Sequence, residues 1–98
     1  MDKARIIATL RAHEGELRAV GVVHLCLFGS VARGQASAGS DVDLMAEFDP
    51  SKQYSLLDRV HLQNRLADIL GVSVDLAPAR TLKDDVRERA THEGVLAF

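Results

Sequence analysis

The chain has 98 residues, close to the common size of one domain, and 47% of them are hydrophobic, a fraction that excludes a disordered chain. Its 12 basic and 14 acidic residues leave a net charge of −2, so no broad basic surface for nucleic acid is expected. The N-terminus lacks the apolar core of a signal peptide, and no apolar stretch approaches the ~20 residues that cross a bilayer. We therefore predict a single cytoplasmic domain over residues 1–98, which contacts neither nucleic acid nor a membrane directly.

In the first half of the chain, residues 2–20 place apolar side chains at helical spacing, which predicts one helix that ends at Gly21. The predicted inward side chains of this helix are Ile6, Ile7, Leu10, Leu17 and Val20. Residues 22–28 form an almost continuous apolar run, typical of a buried strand, and include the single cysteine, Cys26. We expect Cys26 to be a buried, reduced thiol, because one cysteine cannot form a disulfide within the chain. Residues 29–40 are small and polar, and they predict a turn, a short helix and a loop.

The middle of the chain begins with residues 41–48, where apolar and polar side chains alternate, and this pattern predicts a strand with one buried face. Ser55 and Asp58 have the spacing of a capping box, which starts a helix that ends at Gly71. The predicted inward face of that helix consists of Leu56, Val60, Ala67 and Leu70, widened by Leu57, Leu66 and Ile69.

Residues 72–77 predict a third strand, which Pro78 stops. Residues 82–93 predict a last helix, with Thr81 as its cap and with Leu82, Val86 and Ala90 facing inward. The remaining apolar tail, residues 95–98, is expected either to pack back on the domain or, with the rest of the 82–98 segment, to contact a partner. The alternation of helices and strands, αβαβαβα, predicts a two-layer α/β sandwich.

The segment from Phe28 to Gly34 follows a predicted strand and leads to a helix, a position where backbone N–H groups can hold a phosphate. Gly29 would let the backbone approach a triphosphate closely, Ser30 would add a hydroxyl donor and Arg33 a positive charge. The segment lacks the Lys-Ser/Thr pair of a Walker A loop. When this glycine pattern is considered alone, an ordinary glycine turn explains it better.

Asp41 and Asp43 lie two residues apart on a predicted strand, so their carboxylates share the face opposite the apolar side chains. Asp75 lies on the corresponding face of the third strand, and the three carboxylates converge if the two strands pair. Adjacent carboxylates repel each other, and Mg²⁺, which prefers oxygen ligands, would remove that repulsion. A solvated acidic residue near a strand edge explains each aspartate separately. Together with the loop, the three aspartates predict metal-dependent phosphoryl or nucleotidyl transfer at a two-metal site.

Gly29-Ser30, ten intervening residues and then Asp41-Val42-Asp43 resemble the signature of the DNA polymerase beta-like nucleotidyltransferase superfamily. The longer string from Phe28 to Leu44 resembles the minimal nucleotidyltransferase (MNT) branch of this superfamily. Members of that branch have about this length and the same order of elements, so the resemblance covers nearly the whole chain. The resemblance implies a nucleotidyltransferase fold of the α/β (α+β) class, αβαβαβα, with a small mixed three-stranded sheet packed by helices.

The same resemblance implies roles for individual residues. Gly29 and Ser30 would hold the triphosphate of ATP, with Arg33 and Ser40 as further nucleotide-binding residues. Asp41, Asp43 and Asp75 would bind Mg²⁺ at a two-metal site and form the catalytic set. Asp75 matches the third carboxylate of the family, which helps to activate the acceptor hydroxyl.

Minimal members of this family are often antitoxins, encoded beside a helical HEPN ribonuclease toxin. The resemblance then implies a hetero-oligomer in which AMP passes from ATP to a tyrosine of the toxin. Two alternatives remain open from the sequence. One is a nucleotidyltransferase for a small acceptor such as an aminoglycoside, and the other is an antitoxin that only binds its partner.

Two further patterns, an Arg-x-x-x-x-His spacing and the four histidines, do not predict a functional site. Arg87 and His92 have the Arg-x-x-x-x-His spacing of HEPN ribonucleases, but on a helix they lie about 140° apart around the axis, and the chain is not all-helical. The four histidines share no metal-ligand spacing, and we expect solvated or packed roles for them.

Overall fold

The computed structural model describes residues 2–34, 41–79 and 83–98, apart from the side chains at positions 86, 87, 90 and 91. Within these residues the elements follow the predicted order, except that two helices replace the first predicted helix and a fourth strand follows the last one. The elements are α1 (Lys3–Ala12), α2 (Glu14–Ala19), β1 (Val22–Phe28), α3 (Gly29–Ala32), β2 (Val42–Phe48), α4 (Leu56–Leu70), β3 (Val74–Pro78), α5 (Asp84–Glu93) and β4 (Val95–Leu96). In this part of the chain no helix is both long enough and apolar enough to cross a membrane.

The strands form one mixed sheet in the order β3-β2-β1-β4. Strand β1 is antiparallel to both β2 and β4, whereas β2 and β3 are parallel. The mixed sheet is confirmed, and β4 is a fourth strand beyond the three that were expected. The apolar tail packs back on the domain, because Ala97 is 1% exposed and its carbonyl accepts a 2.7 Å hydrogen bond from Arg11 Nε.

The N-terminal segment consists of two helices rather than the single helix that was predicted. Asp2 caps α1 by accepting a hydrogen bond from the Arg5 N–H, and the chain turns at His13, where the backbone leaves helical geometry. Four of the five predicted inward side chains are buried, but Val20 is 49% exposed. It lies at the C-cap of α2, beyond the last helical residue, so helical spacing no longer sets its direction.

Helix α4 begins with the predicted capping box: Ser55 Oγ accepts from the Asp58 N–H, and Asp58 Oδ2 accepts from the Ser55 N–H. Its predicted inward face is correct only in part. The buried side chains are Leu62, Leu66 and Leu70, whereas Leu56, Leu57 and Val60 are 69%, 63% and 43% exposed. At about 100° per residue, Leu56 and Val60 lie about 80–120° around the axis from Leu66, so they belong to a second apolar stripe that does not face the sheet.

The sheet buries one face. The core face carries Leu25 and Leu27 of β1, Val42, Leu44 and Ala46 of β2, and Val74 and Leu76 of β3, all at most 8% exposed. The opposite face, which we call the aspartate face, carries His24, Cys26 and Phe28 of β1, Asp43, Met45 and Glu47 of β2, and Asp75 and Ala77 of β3, all half-buried or exposed. Strand alternation therefore separates the core from a second, accessible surface.

The outer edge of β3 is partly closed by a side chain. The Val42 N–H donates to the Ser73 carbonyl. Because alternate residues of β3 bond to β2, the backbone N–H and C=O groups of Val74, Leu76 and Pro78 point away from β2. The Leu76 N–H donates instead to Gln63 Oε1 of α4 at 3.1 Å. The edge of the sheet is thus tied to the helix beside it.

Helix α5 begins at Asp84, two residues later than predicted. The predicted cap Thr81 and the predicted inward Leu82 lie outside the described residues, as do the side chains of Val86, Arg87 and Ala90. The helix contacts β1 and α3, which brings it beside the loop that follows β1.

Candidate active site

The register of the three longer strands brings the predicted site residues together. Phe28, which precedes Gly29, pairs with Asp43 across the antiparallel ladder, and Asp43 pairs with Asp75 across the parallel one. Asp41 lies directly before β2 and is exposed. The pairing on which the predicted convergence of the carboxylates depended is therefore present, although their catalytic role stays a prediction.

Position 29 requires a glycine for two reasons, its backbone conformation and the close approach of Asp43. Its φ of +77° lies in the left-handed region that favours glycine. A Cβ atom added there would collide with the carboxylate of Asp43, so the loop packs directly against the aspartate. Val31 and Ala32 of α3, each 6% exposed, anchor the loop in the core. Because Gly29 has no side chain, the loop backbone can come close to Asp43 and to a ligand bound at its carboxylate.

The carboxylates influence one another electrostatically. Burial raises the pKa of the half-buried Asp43 carboxyl, and the negative charges of Asp75 and Asp41 raise it further. The positive charge of Arg33 acts in the opposite direction and lowers this pKa. The site therefore concentrates negative charge that a bound cation would stabilise.

The donor set suits a hard cation such as Mg²⁺, because it consists of carboxylate oxygens. Among the described residues, no three Asp, Glu, His or Cys side chains are arranged to hold one ion together. The predicted metal set of Asp41, Asp43 and Asp75 therefore stays a prediction. One or two carboxylates, together with substrate phosphates, usually suffice to hold Mg²⁺. The nucleotide would then complete the ligand set.

Arg33 lies at the C-cap of α3, and its Nη1 is 3.4 Å from Oε2 of Glu93 in α5. Both side chains are about two-fifths exposed (43% each), so the pair lies at the rim of the site. Glu93 was not predicted from the sequence, because nothing in the sequence relates α5 to a residue 60 positions earlier. Ser40, predicted to bind nucleotide, lies outside the described residues.

A cavity of about 330 Å³ opens on the aspartate face beside the site. The residues that line it are His24, Cys26, Met45, Glu47, Ala79, Gly94 and Leu96. Cys26, expected to be buried, is half-buried here, and burial raises the pKa of its thiol. Strand alternation places Met45 and Glu47 on the face of Asp43, but the sequence did not reveal that β4 would close the cavity.

Another cavity, about 450 Å³, lies between α2 and α4 and contains none of the predicted site residues. His13 and His24 each contact a backbone carbonyl through Nδ1, at 2.9 and 3.4 Å.

Comparison with known proteins agrees with this arrangement. A family model described as a nucleotidyltransferase domain matches residues 10–97. The protein adenylyltransferase MntA of Thermococcus cleftensis is 37% identical over 91 residues, which cover 92% of this chain and 90% of that protein. A solved structure described as a minimal nucleotidyltransferase has a TM-score of 0.81 and 36% identity, covering 97% of this chain and 95% of that one.

A third similarity extends to the fold alone. A chain in the solved complex of a tri-AMPylated Shewanella oneidensis HEPN toxin with an MNT antitoxin has a TM-score of 0.61 and 18% identity. The match covers 90% of this chain and 71% of that chain.

Proposed function

The chain belongs to the nucleotidyltransferase domain family, in its minimal nucleotidyltransferase branch, and we propose that it transfers AMP from ATP to a tyrosine of a HEPN ribonuclease toxin. In this role it is the antitoxin of the pair. A protein acceptor is supported by the name of the Thermococcus relative, a protein adenylyltransferase, and a HEPN toxin by the AMPylated toxin in the Shewanella complex. The choice of tyrosine follows from the family resemblance. The observation that carries the proposal is the contact of Gly29 with Asp43, in register with Asp75.

The loop after β1 would hold the phosphates of the donor. The first N–H groups of a helix have no partner within the helix, and those of Gly29 and Ser30, at the start of α3, would donate to phosphate oxygens. Arg33 adds a positive charge on the same side of the site.

The aspartates would act on the reacting groups. Asp41 and Asp43 would hold Mg²⁺, which when bound neutralises charge on the phosphates. The acceptor oxygen forms a bond to the α-phosphorus while the bond from that phosphorus to the bridging oxygen breaks, and pyrophosphate leaves. Asp75, the partner of Asp43 across the parallel ladder, would orient the acceptor hydroxyl and receive its proton.

The experiment uses the full chain, ATP labelled at the α-phosphate, Mg²⁺ and the protein encoded beside this chain. We expect label on a tyrosine of that protein, and we expect Asp43→Asn to reduce the rate roughly a thousandfold, about 4 kcal/mol of barrier. Asp68→Asn, an exposed aspartate on α4, is the matched control and should transfer normally.

The other outcomes identify the alternatives. Label on an aminoglycoside but not on the protein would indicate a small-molecule enzyme. Neutralisation of the toxin without any label on it, by the wild type and by Asp43→Asn alike, would indicate an antitoxin that acts by binding alone. Full activity of Asp43→Asn would contradict the assignment of the site.

A further inference from the structure

The side chains of the aspartate face form rows across the sheet. The first row contains Phe28, Asp43 and Asp75, which are successive partners from β1 to β3. The next row, two residues along each strand, contains Leu96, Cys26, Met45 and Ala77, which are successive partners across all four strands. At about 3.3 Å per residue, the two rows lie about 7 Å apart.

The second row, which we call the apolar row, is accessible. Cys26, Met45 and Ala77 are half-buried, and Leu96 is 54% exposed. Three of its members, Leu96, Cys26 and Met45, line the 330 Å³ cavity. An apolar strip beside a cluster of carboxylates points to a ligand that is polar at one end and apolar behind it.

The position of the loop indicates which substrate enters from this side. Gly29 and Ser30 follow Phe28 along β1, so the phosphate-holding loop and the apolar row lie on opposite sides of the aspartate row. In a phosphoryl transfer the attacking and leaving oxygens are roughly in line with the phosphorus between them. If the leaving pyrophosphate lies at the loop, the acceptor oxygen arrives from the side of the apolar row.

We propose that the apolar row is the acceptor subsite, and that it selects a phenolic hydroxyl because the ring of the acceptor lies on Met45 and Cys26. This inference rests on the proposed function. A phenol carries its hydroxyl at one end of an apolar ring, so the ring covers the apolar row when the hydroxyl reaches Asp43 and Asp75. Sulfur atoms of Met and Cys make favourable contacts with aromatic rings, whereas a serine or threonine acceptor would leave the row uncovered.

Glu47 extends the subsite. It follows Met45 by two residues on the same face, is exposed, and lines the same cavity as His24, its partner across the ladder. A carboxylate at this position favours a basic side chain in the segment that carries the acceptor. The partner segment that fits the groove therefore has a tyrosine with a lysine or arginine near it.

The test measures steady-state transfer to the neighbouring protein and to two small probes, N-acetyltyrosine amide and N-acetylserine amide. Met45→Thr removes the thioether and keeps a side chain suited to a strand. We expect the KM for the tyrosine acceptors to rise roughly tenfold, while kcat and the KM for ATP stay within twofold. The preference for the tyrosine probe over the serine probe should fall by a similar factor.

Two other variants complete the design. Leu96→Thr changes the exposed end of the row and should act in the same direction even if Met45→Thr folds poorly. Leu57→Thr, at an exposed leucine of α4, is the matched control and should leave both KM values unchanged. Circular dichroism and thermal unfolding of each variant establish that it is folded.

The outcomes separate the two proposals. No transfer by the wild type to any acceptor would contradict the proposed function itself. Transfer by the wild type with unchanged acceptor KM in folded Met45→Thr and Leu96→Thr would overturn the acceptor subsite alone. A rise in the KM for ATP, or weaker binding of a non-hydrolysable ATP analogue, would assign the row to the nucleoside of the donor and would also overturn the inference.

Discussion

The two faces of the sheet come from the same strands, yet one is buried in the core and the other is accessible. On the core face, Leu25, Leu27 and Leu44 are fully buried at 0% exposure. On the aspartate face, the neighbours of these leucines along the chain are half-buried or exposed, and they include the carboxylate of Asp43. Because successive side chains alternate between faces, the core and the candidate site take alternate residues of one strand. A shift of register by one residue would exchange the two sets.

The strongest test of this comparison changes neighbouring residues of β2 that lie on opposite faces. Leu44→Ala should destabilise the protein by about 2–5 kcal/mol, because it removes buried methyl groups and leaves a cavity. Met45→Thr, at the accessible neighbour, should change the free energy of unfolding by less than about 1 kcal/mol. Urea denaturation of both variants measures the difference. Similar destabilisation of the two would mean that the aspartate face is buried as well.

A second comparison concerns the point where the aspartate face meets the loop. Gly29→Ala introduces a Cβ both in a left-handed backbone and against Asp43, whereas Gly71→Ala, at φ +72°, introduces only the backbone strain. We expect Gly71→Ala to destabilise by about 1–2 kcal/mol and Gly29→Ala by more, with loss of AMP transfer in the latter alone. Thermal unfolding and the transfer assay distinguish them. Equal stability and activity of the two variants would contradict the contact with Asp43.

A third prediction uses the raised pKa of Asp43. A carboxyl whose pKa is higher in the folded state favours folding while it is protonated, and this contribution is lost as the pH rises through the raised value. Asp43→Asn should therefore raise the melting temperature at neutral pH without Mg²⁺, and the gain should disappear below the ordinary range near pH 4. A pH series of melting curves, with Asp68→Asn as the reference, tests the sign. A gain that grows towards acid pH would contradict it.

The smallest expected effect concerns the ion pair at the rim of the site. Arg33 and Glu93 are separated by 3.4 Å and both are about two-fifths exposed, so solvent screens the pair. Glu93→Gln should therefore change the free energy of unfolding by less than about 1 kcal/mol, no more than Glu88→Gln on the same helix. A larger loss in the urea titration would show that α5 depends on this contact.

Strand alternation and motif spacing predicted where the residues of the candidate site lie in the fold. They placed Asp41, Asp43 and Asp75 on compatible faces before any pairing was known, and the register of β2 and β3 then aligned the last two. These predictions succeeded because the direction of a side chain from a strand depends only on local geometry. The capping box of α4 succeeded for the same reason.

Other features depend on long-range packing, and the sequence did not reveal them. Helix α4 has two apolar stripes, and only the position of the sheet decides that Leu66 is buried while Val60 is not. The fourth strand has two residues, too few for a period to be visible. The apolar row requires the registers of all four strands, so the sequence could supply its members Cys26 and Met45 but not their alignment with Leu96.

The hydrogen bond from Leu76 to Gln63 has a consequence for assembly. Of the residues whose backbone faces outward from β3, Leu76 already donates to a side chain and Pro78 has no N–H, so this edge offers at most one donor, that of Val74. An extended segment from another molecule would find too few donors there to add itself as a fifth strand. The protein is therefore protected on this side against edge-to-edge aggregation, and a partner that approaches β3 has to bind through side chains rather than by extending the sheet.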